Sequence, residues 1–310
     1  MYFHEDMVAK AAETSGLRGV LAPGIIEAGD PRRGEEMLKE ALEMARRYGG
    51  YGDGRVSVQL GPHAVYSCSP NLLKEVREKA SALNVGLHIH LAESPKALKK
   101  TQKERARTEV GLLESIDFLN SDVLAAHCVY LSIDDMKLMA KRGVKVSYNP
   151  ITNMKLAMGV PKIIDLQRFG VTVGLGTDGP ASNNNLDMFE VMKVGAVLQK
   201  TFYKDPRVLP AQKVLRMATI EGAHALGLEE HIGSLEVGKR ADIVLIGLKK
   251  PHLTPLHDLY ANIVYSARGS DVDTVIVDGH VLMEKREVKT LDEEKVIEKT
   301  QQTAIDLVLR

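Results

Sequence analysis

Residues 85–93, VGLHIHLAE, and 171–179, VTVGLGTDG, are short apolar runs that each finish on side chains able to carry chemistry. Four more runs of the same kind accompany them: RGVLAPGII (18–26), RVSVQLGPH (55–63), DVLAAHCVY (122–130) and VKVSYNP (144–150). Their apolar character is nearly continuous, as it must be for strands covered on both faces. Between the runs lie stretches with helical spacing, EEMLKEALEMARRYG, NLLKEVREKASALN and IDDMKLMAKRG, each closing on a Gly or Asn stop. Six strand–helix units of this sort predict a parallel sheet wrapped by helices, an α/β chain of the TIM-barrel pattern.

After about residue 230 the pattern changes. HIGSLEVGKRADIVLIGL and DVDTVIVDGHVLMEKREV are strands punctuated by glycines and charges, and they predict a small C-terminal β-subdomain. The expected division is a barrel over 1–230, subdomain strands over 231–290 and one helix over 291–310.

Composition narrows the function classes. Among 310 residues, 44% are apolar and 26% charged, with 41 basic and 41 acidic side chains, so the formal net charge is zero. No basic stripe suggests a nucleic-acid backbone as partner. No apolar run reaches the ~18 residues of a membrane span. The first residues, MYFHEDMV, lack signal-peptide architecture. Cys68 and Cys128 are far apart and in no metal-binding spacing. A reducing, cytoplasmic setting is expected rather than a disulfide framework. A homo-oligomer remains open.

In a parallel barrel the chemistry gathers where strands end. His63, His90, His127 and Asp178 lie at or near the ends of four different runs. Alternation puts His88 and His90 on one face of their strand, and His90 is nearer the end, so it is the better metal-ligand candidate. Glu93, three residues on, can move protons beside a metal-bound imidazole. Asp178 can coordinate a metal and accept a proton from water, although a Gly-Asp-Gly segment is also turn-like. The polar run 181–185 can cap the next helix. His127 follows four apolar residues and reads as a ligand, an oxyanion stabiliser or a hydrogen-bonded core residue. Cys128 then packs on the opposite face. His63 reads as a substrate contact or a loop residue, and Tyr148 and Asn149 as residues of the pocket mouth.

HIHLAES, AAHCVYLS, NPITNMKLAMG, GLGTDGPASNNNLDMF and GSLEVGKRADIVLI together resemble the amidohydrolase superfamily. Within it they resemble the 5-methylthioadenosine/S-adenosylhomocysteine deaminases, which include 5'-deoxyadenosine deaminases. The resemblance implies a metal-dependent aminohydrolase acting on a small-molecule nucleoside, with one divalent metal ion, zinc. It makes His90 the fifth-strand ligand and Asp178 the eighth-strand ligand and base. It makes Glu93 the proton shuttle that touches the purine, His127 the histidine beside the attacking hydroxide, and His63 a substrate-binding histidine. Asp178 and Glu93 then face substrate as well.

The chain also departs from the family. Tyr130 stands where members carry a second histidine in HCVHL, and Tyr148-Asn149-Pro150 stands where many have His-Asn-Pro. Pro23 aligns with an arginine used on the substrate's tail, and either Arg32 or Arg33 can supply a second one. The expected substrates are therefore 5'-deoxyadenosine and methylthioadenosine ahead of S-adenosylhomocysteine. Counting back from Asp178 makes 18–26 the third barrel strand and the opening MYF the end of the second. The barrel is then expected to be incomplete at its N-terminus, without the first-strand His-x-His pair that supplies two ligands. The competing readings are triazine dechlorination, deamination of guanine or cytosine, and an inactive fragment.

Overall fold

A computed structural model describes residues 1–105 and 107–309. The apolar runs become β1 (Gly19–Leu21) and β2 (Gly24–Ile25), β3 (Val56–Val58) and β4 (Gly61–Pro62), β5 (Leu87–Leu91), β6 (Val123–His127), β7 (Lys145–Tyr148) and β8 (Val173–Leu175). The runs 18–26 and 55–63 are thus each broken in two. The breaks face one another, because Gly24 is the first residue after Pro23 to pair again, opposite Gly61. A proline has no N–H to give the ladder.

All of these strands run parallel. β1 and β2 pair with β3 and β4. Single bridges, Leu60 to Leu87 and Ala64 to His90, join that ribbon to β5. β5, β6, β7 and β8 follow in unbroken register, from Leu87 opposite Val123 to Tyr148 opposite Leu175. Among the described residues the sheet does not close: β8 pairs only with β7, and the β2 side carries one bridge, Tyr2 to Pro23.

The helices form where the sequence starts and stops them. Ser69 caps Pro70–Leu83 by accepting from Leu72 N, and Asn84 ends it in the left-handed region. Ser132 and Asp135 form a reciprocal capping box on Ile133–Arg142, and Gly143 ends it. Leu87, Ile89, Leu91, Val123 and Val146 are fully buried between sheet and helices. Each such side chain contributes roughly 1.5–3 kcal/mol of burial free energy.

Beyond the barrel strands, β9 (Ile243–Ile246), β10 (Val272–Val277), β11 (His280–Glu284) and β12 (Glu287–Val288) form an antiparallel sheet in the order β12-β11-β10-β9. A helix, Glu293–Val308, follows. Arg18, just before β1, grips this sheet with both oxygens of Asp242, at 2.6 and 2.9 Å. The same carboxylate accepts Asp278 N at 2.8 Å. No helix among the described residues is long and apolar enough to cross a membrane.

Candidate active site

Because every barrel strand points the same way, all strand ends open on one face. His63 lies just past β4, His90 within β5, Glu93 just past β5, His127 at the end of β6 and Asp178 three residues past β8. Along β5, Leu87, Ile89 and Leu91 are buried while His88 and His90 share the other side. Their rings stack at 6.5 Å.

The histidines form a row across three neighbouring strand ends. The His63 and His90 ring centroids are 4.7 Å apart, and those of His90 and His127 are 5.4 Å apart. His90 Nδ1 lies 2.8 Å from the His63 carbonyl, which only accepts. Nδ1 therefore carries the proton and Nε2 keeps its lone pair. Burial, then the nearby His127, lowers the His90 pKa to about 4. Burial also lowers those of His63 and, further, His88. His63 Nδ1 is engaged by Ser67 Oγ at 2.8 Å.

His127 is 2% exposed, and its Nδ1 lies 2.9 Å from Asn153 Oδ1. Its Nε2 faces two carboxylates, Glu93 Oε2 at 3.9 Å and Asp178 Oδ2 at 4.0 Å. The other oxygen of Glu93 accepts from Tyr66 Oη at 2.5 Å. Asp178 Oδ1 accepts Gly179 N at 2.7 Å. Imidazole and carboxylates thus meet around one point.

The backbone bends sharply to bring them there. Ala92, His127 and Asp178 have φ of 49°, 71° and 62°, a region that non-glycine residues rarely adopt. Ala92 is pinned on both sides: its N–H donates to Glu109 Oε2 at 2.6 Å, and its carbonyl accepts from Tyr130 N at 2.9 Å. Glu109 is 2% exposed, and burial raises its carboxyl pKa. Gly176 is needed for a close approach, since a Cβ there would lie 2.3 Å from Asn149 Oδ1.

Several details differ from the sequence reading. Tyr148 is fully buried, bonded to Gln199 Nε2, and does not line a pocket mouth. Asn149 is buried and accepts from Ser147 Oγ. Side-chain direction along a four-residue strand whose end turns inward is set by packing, which the alternation does not encode. Asp187, rather than the 181–185 run, caps Met188–Tyr203 by accepting from Phe189 N. Alternation does not govern Cys128, because both it and His127 have positive φ; it is simply buried. Arg32 and Arg33 are exposed in the first turn of Pro31–Tyr48.

Three site residues carried no sequence signal strong enough to single them out. Tyr66 sits three residues beyond His63, and Asn153 lies in the NPITNMK stretch. Glu109 is 17 residues from the amide it holds. None of the five candidate residues lines the cavity of about 440 Å³ between Leu98, Val129, Tyr130, Lys162 and Phe202.

The donors suit a divalent metal in type: an imidazole nitrogen with a free lone pair on His90 and a carboxylate on Asp178. Among the described residues, no group of three or more His, Cys, Asp and Glu side chains is arranged to hold one.

Parallel strands with histidines and an aspartate at their ends are an arrangement that hydrolases of the TIM-barrel type use. Residues 1–282 match the model of the amidohydrolase family, and the chain belongs to that family. It is 50% identical to a 5-methylthioadenosine/S-adenosylhomocysteine deaminase of Desulforudis audaxviator, over 99% of this chain and 71% of that protein. It is 49% identical to a 5'-deoxyadenosine deaminase of Methanosarcina acetivorans, over 100% of this chain and 71% of that protein. Among solved structures, an adenosine deaminase from Xanthomonas campestris with bound zinc superposes with a TM-score of 0.94 at 30% identity, covering 100% of this chain and 71% of that one. The zinc complex of atrazine chlorohydrolase TrzN from Arthrobacter aurescens superposes with a TM-score of 0.88 at 25% identity, covering 97% and 70%.

Proposed function

We propose that the protein deaminates an adenine nucleoside hydrolytically, 5'-deoxyadenosine or methylthioadenosine, giving the inosine-type product and ammonia. The observation that carries this reading is the approach of Glu93 Oε2 and Asp178 Oδ2 to one imidazole nitrogen, at 3.9 and 4.0 Å, beside His90. Two proton-handling carboxylates around one point are what water addition and amine departure require. Relatives at 49–50% identity named as adenine-nucleoside deaminases favour this chemistry over triazine dechlorination, whose named neighbour is 25% identical.

His90 and Asp178 would hold a single divalent ion, zinc by donor type. Such an ion supplies Lewis acidity that makes water a nucleophile at neutral pH. Asp178 takes a proton from the attacking water. Glu93 gives its proton to the ring nitrogen beside the amino-bearing carbon. With Nδ1 engaged by Asn153, His127 keeps Nε2 for the developing oxyanion. On collapse the proton on Asp178 passes to the departing amine, and the hydroxyl proton returns to Glu93. One water is consumed and one ammonia released. His63, whose Nδ1 is occupied by Ser67, has Nε2 for the substrate. Both cysteines are buried and unpaired, which suits a reducing cytoplasm.

The test is ammonia release from 5'-deoxyadenosine, with zinc content measured on the same preparation and again after chelation. Chelation-sensitive formation of the inosine-type product supports the reading. Turnover of a triazine with none of any adenine nucleoside overturns it.

A further inference from the structure

We propose that Tyr66 is a positioning residue for Glu93: its phenol binds Oε1 and so leaves Oε2 as the oxygen that exchanges a proton with the substrate. This rests on the deaminase reading for its consequence in turnover, but not for the contact itself.

A free carboxylate presents two equivalent oxygens and rotates between them. Here the two are distinguished. Oε1 accepts from Tyr66 Oη at 2.5 Å, and Oε2 faces His127 Nε2 at 3.9 Å. A phenol can only donate to an ionised carboxylate, so Tyr66 keeps its proton throughout and only Oε2 gains and loses one. Burial, and then the bond to Glu93, raises the Tyr66 pKa. This makes it a poor acid and a durable donor.

The loop bearing Tyr66 is fixed to the strand it serves. Ser67 N and Cys68 N both donate to Ala64 O, closing the turn around Tyr66. Ala64 itself bridges to His90 on β5. Cys68 Sγ reaches the Ile25 carbonyl at 3.2 Å, and Ser67 O accepts from Glu27 N and Ala28 N. The Tyr66 ring stands edge-on to His63, with centroids 5.7 Å apart. The loop after β4 therefore delivers two groups together: His63 toward His90, and Tyr66 toward Glu93. Ala92, pinned by Glu109 and Tyr130, fixes Glu93 from the other side.

The experiment uses Tyr66→Phe, Glu93→Gln and the double variant, each checked by thermal melting. Glutamates are labelled with ¹³C at the carboxyl carbon, and the Glu93 resonance is assigned by its disappearance in Glu93→Gln. The ionisable groups facing Glu93 include Tyr66, His63, His90, His127 and Glu109. Only the first is altered. Loss of a donor to the ionised form raises the Glu93 midpoint in Tyr66→Phe, by about one unit. Site-specific 3-fluorotyrosine at position 66, a stronger donor of nearly the same shape, lowers it. With 5'-deoxyadenosine, Tyr66→Phe reduces kcat about ten- to a hundredfold at unchanged KM, and costs nothing further in the Glu93→Gln background. An unmoved Glu93 midpoint overturns the proposal. So does a Tyr66→Phe penalty equally large in both backgrounds. If the unaltered protein releases no ammonia, the deaminase reading fails, and the Glu93 titration alone decides the role of Tyr66.

Discussion

The two sides of the site are built differently. On the β4–β6 side, each functional group is held by a partner from another element. His90 bonds the His63 carbonyl, Glu93 accepts from Tyr66, and His127 rests on Asn153. Even the backbone between His90 and Glu93 is fixed by Glu109. On the β8 side, Asp178 is held by the amide of the very next residue, and its side chain is 25% exposed. The strand positions explain the contrast. β5 has pairing neighbours on both sides, whereas β8 pairs only with β7 among the described residues. A group at an interior strand end is over-determined by packing, and one at an edge depends on its own loop.

Glu93→Gln should have the largest effect. Turnover falls by about 10²–10⁴-fold while zinc content is unchanged, because the role proposed for Glu93 is proton transfer and not coordination. Ammonia release paired with metal analysis checks this, and near-normal turnover would remove Glu93 from the mechanism. Asn153→Leu comes next. It removes the partner of His127 Nδ1 and leaves the ring free to turn, at a cost of about 10- to 100-fold in activity. Rescue by Asn153→Gln would indicate that acceptor chemistry matters more than exact length.

Stability measurements sharpen the contrast between the two sides. Glu109→Leu strands the buried Ala92 N–H and should destabilise the protein by about 1–3 kcal/mol in denaturant titration. Asp178→Asn, at the locally held edge, should cost under about 0.5 kcal/mol. Equal costs would erase the distinction. Glu109→Gln adds a pH signature. Burial raises the folded-state pKa of Glu109 above its ordinary 4.5, so the folded chain binds the extra proton in that window and loses stability as pH rises through the folded pKa. Gln keeps an acceptor without the charge. The variant should therefore match or exceed the parent at pH 7 and lose that advantage below about pH 4.5.

The smallest effect is expected at the rim. Arg32→Ala and Arg33→Ala remove exposed cations, and exposed ion pairs contribute about 1 kcal/mol at most, a change in kcat/KM of about fivefold or less. With Pro23 unable to pair with a carboxylate, 5'-deoxyadenosine and methylthioadenosine should be preferred to S-adenosylhomocysteine. A strong preference for the last, lost in Arg32→Ala or Arg33→Ala, would reverse that order.

The sequence by itself determined the parallel strand–helix alternation, because burial on both faces demands continuous apolar runs and the helix stops are local. It also determined which residues stand at strand ends, since His63, His90, His127 and Asp178 each lie at or near the end of an apolar run. Tertiary structure alone decided what those residues touch. Tyr66 reaches Glu93 across 27 positions, Asn153 reaches His127 across 26, and Glu109 reaches Ala92 across 17. Such pairings follow from strand register and loop path, and no local spacing rule encodes them. The same holds for Tyr148, whose inward turn depends on Gln199 some 51 residues away. The positive φ at Ala92, His127 and Asp178 belongs to this second class. None of these residue types favours that conformation enough to announce it, and it persists because the surrounding hydrogen bonds hold it in place.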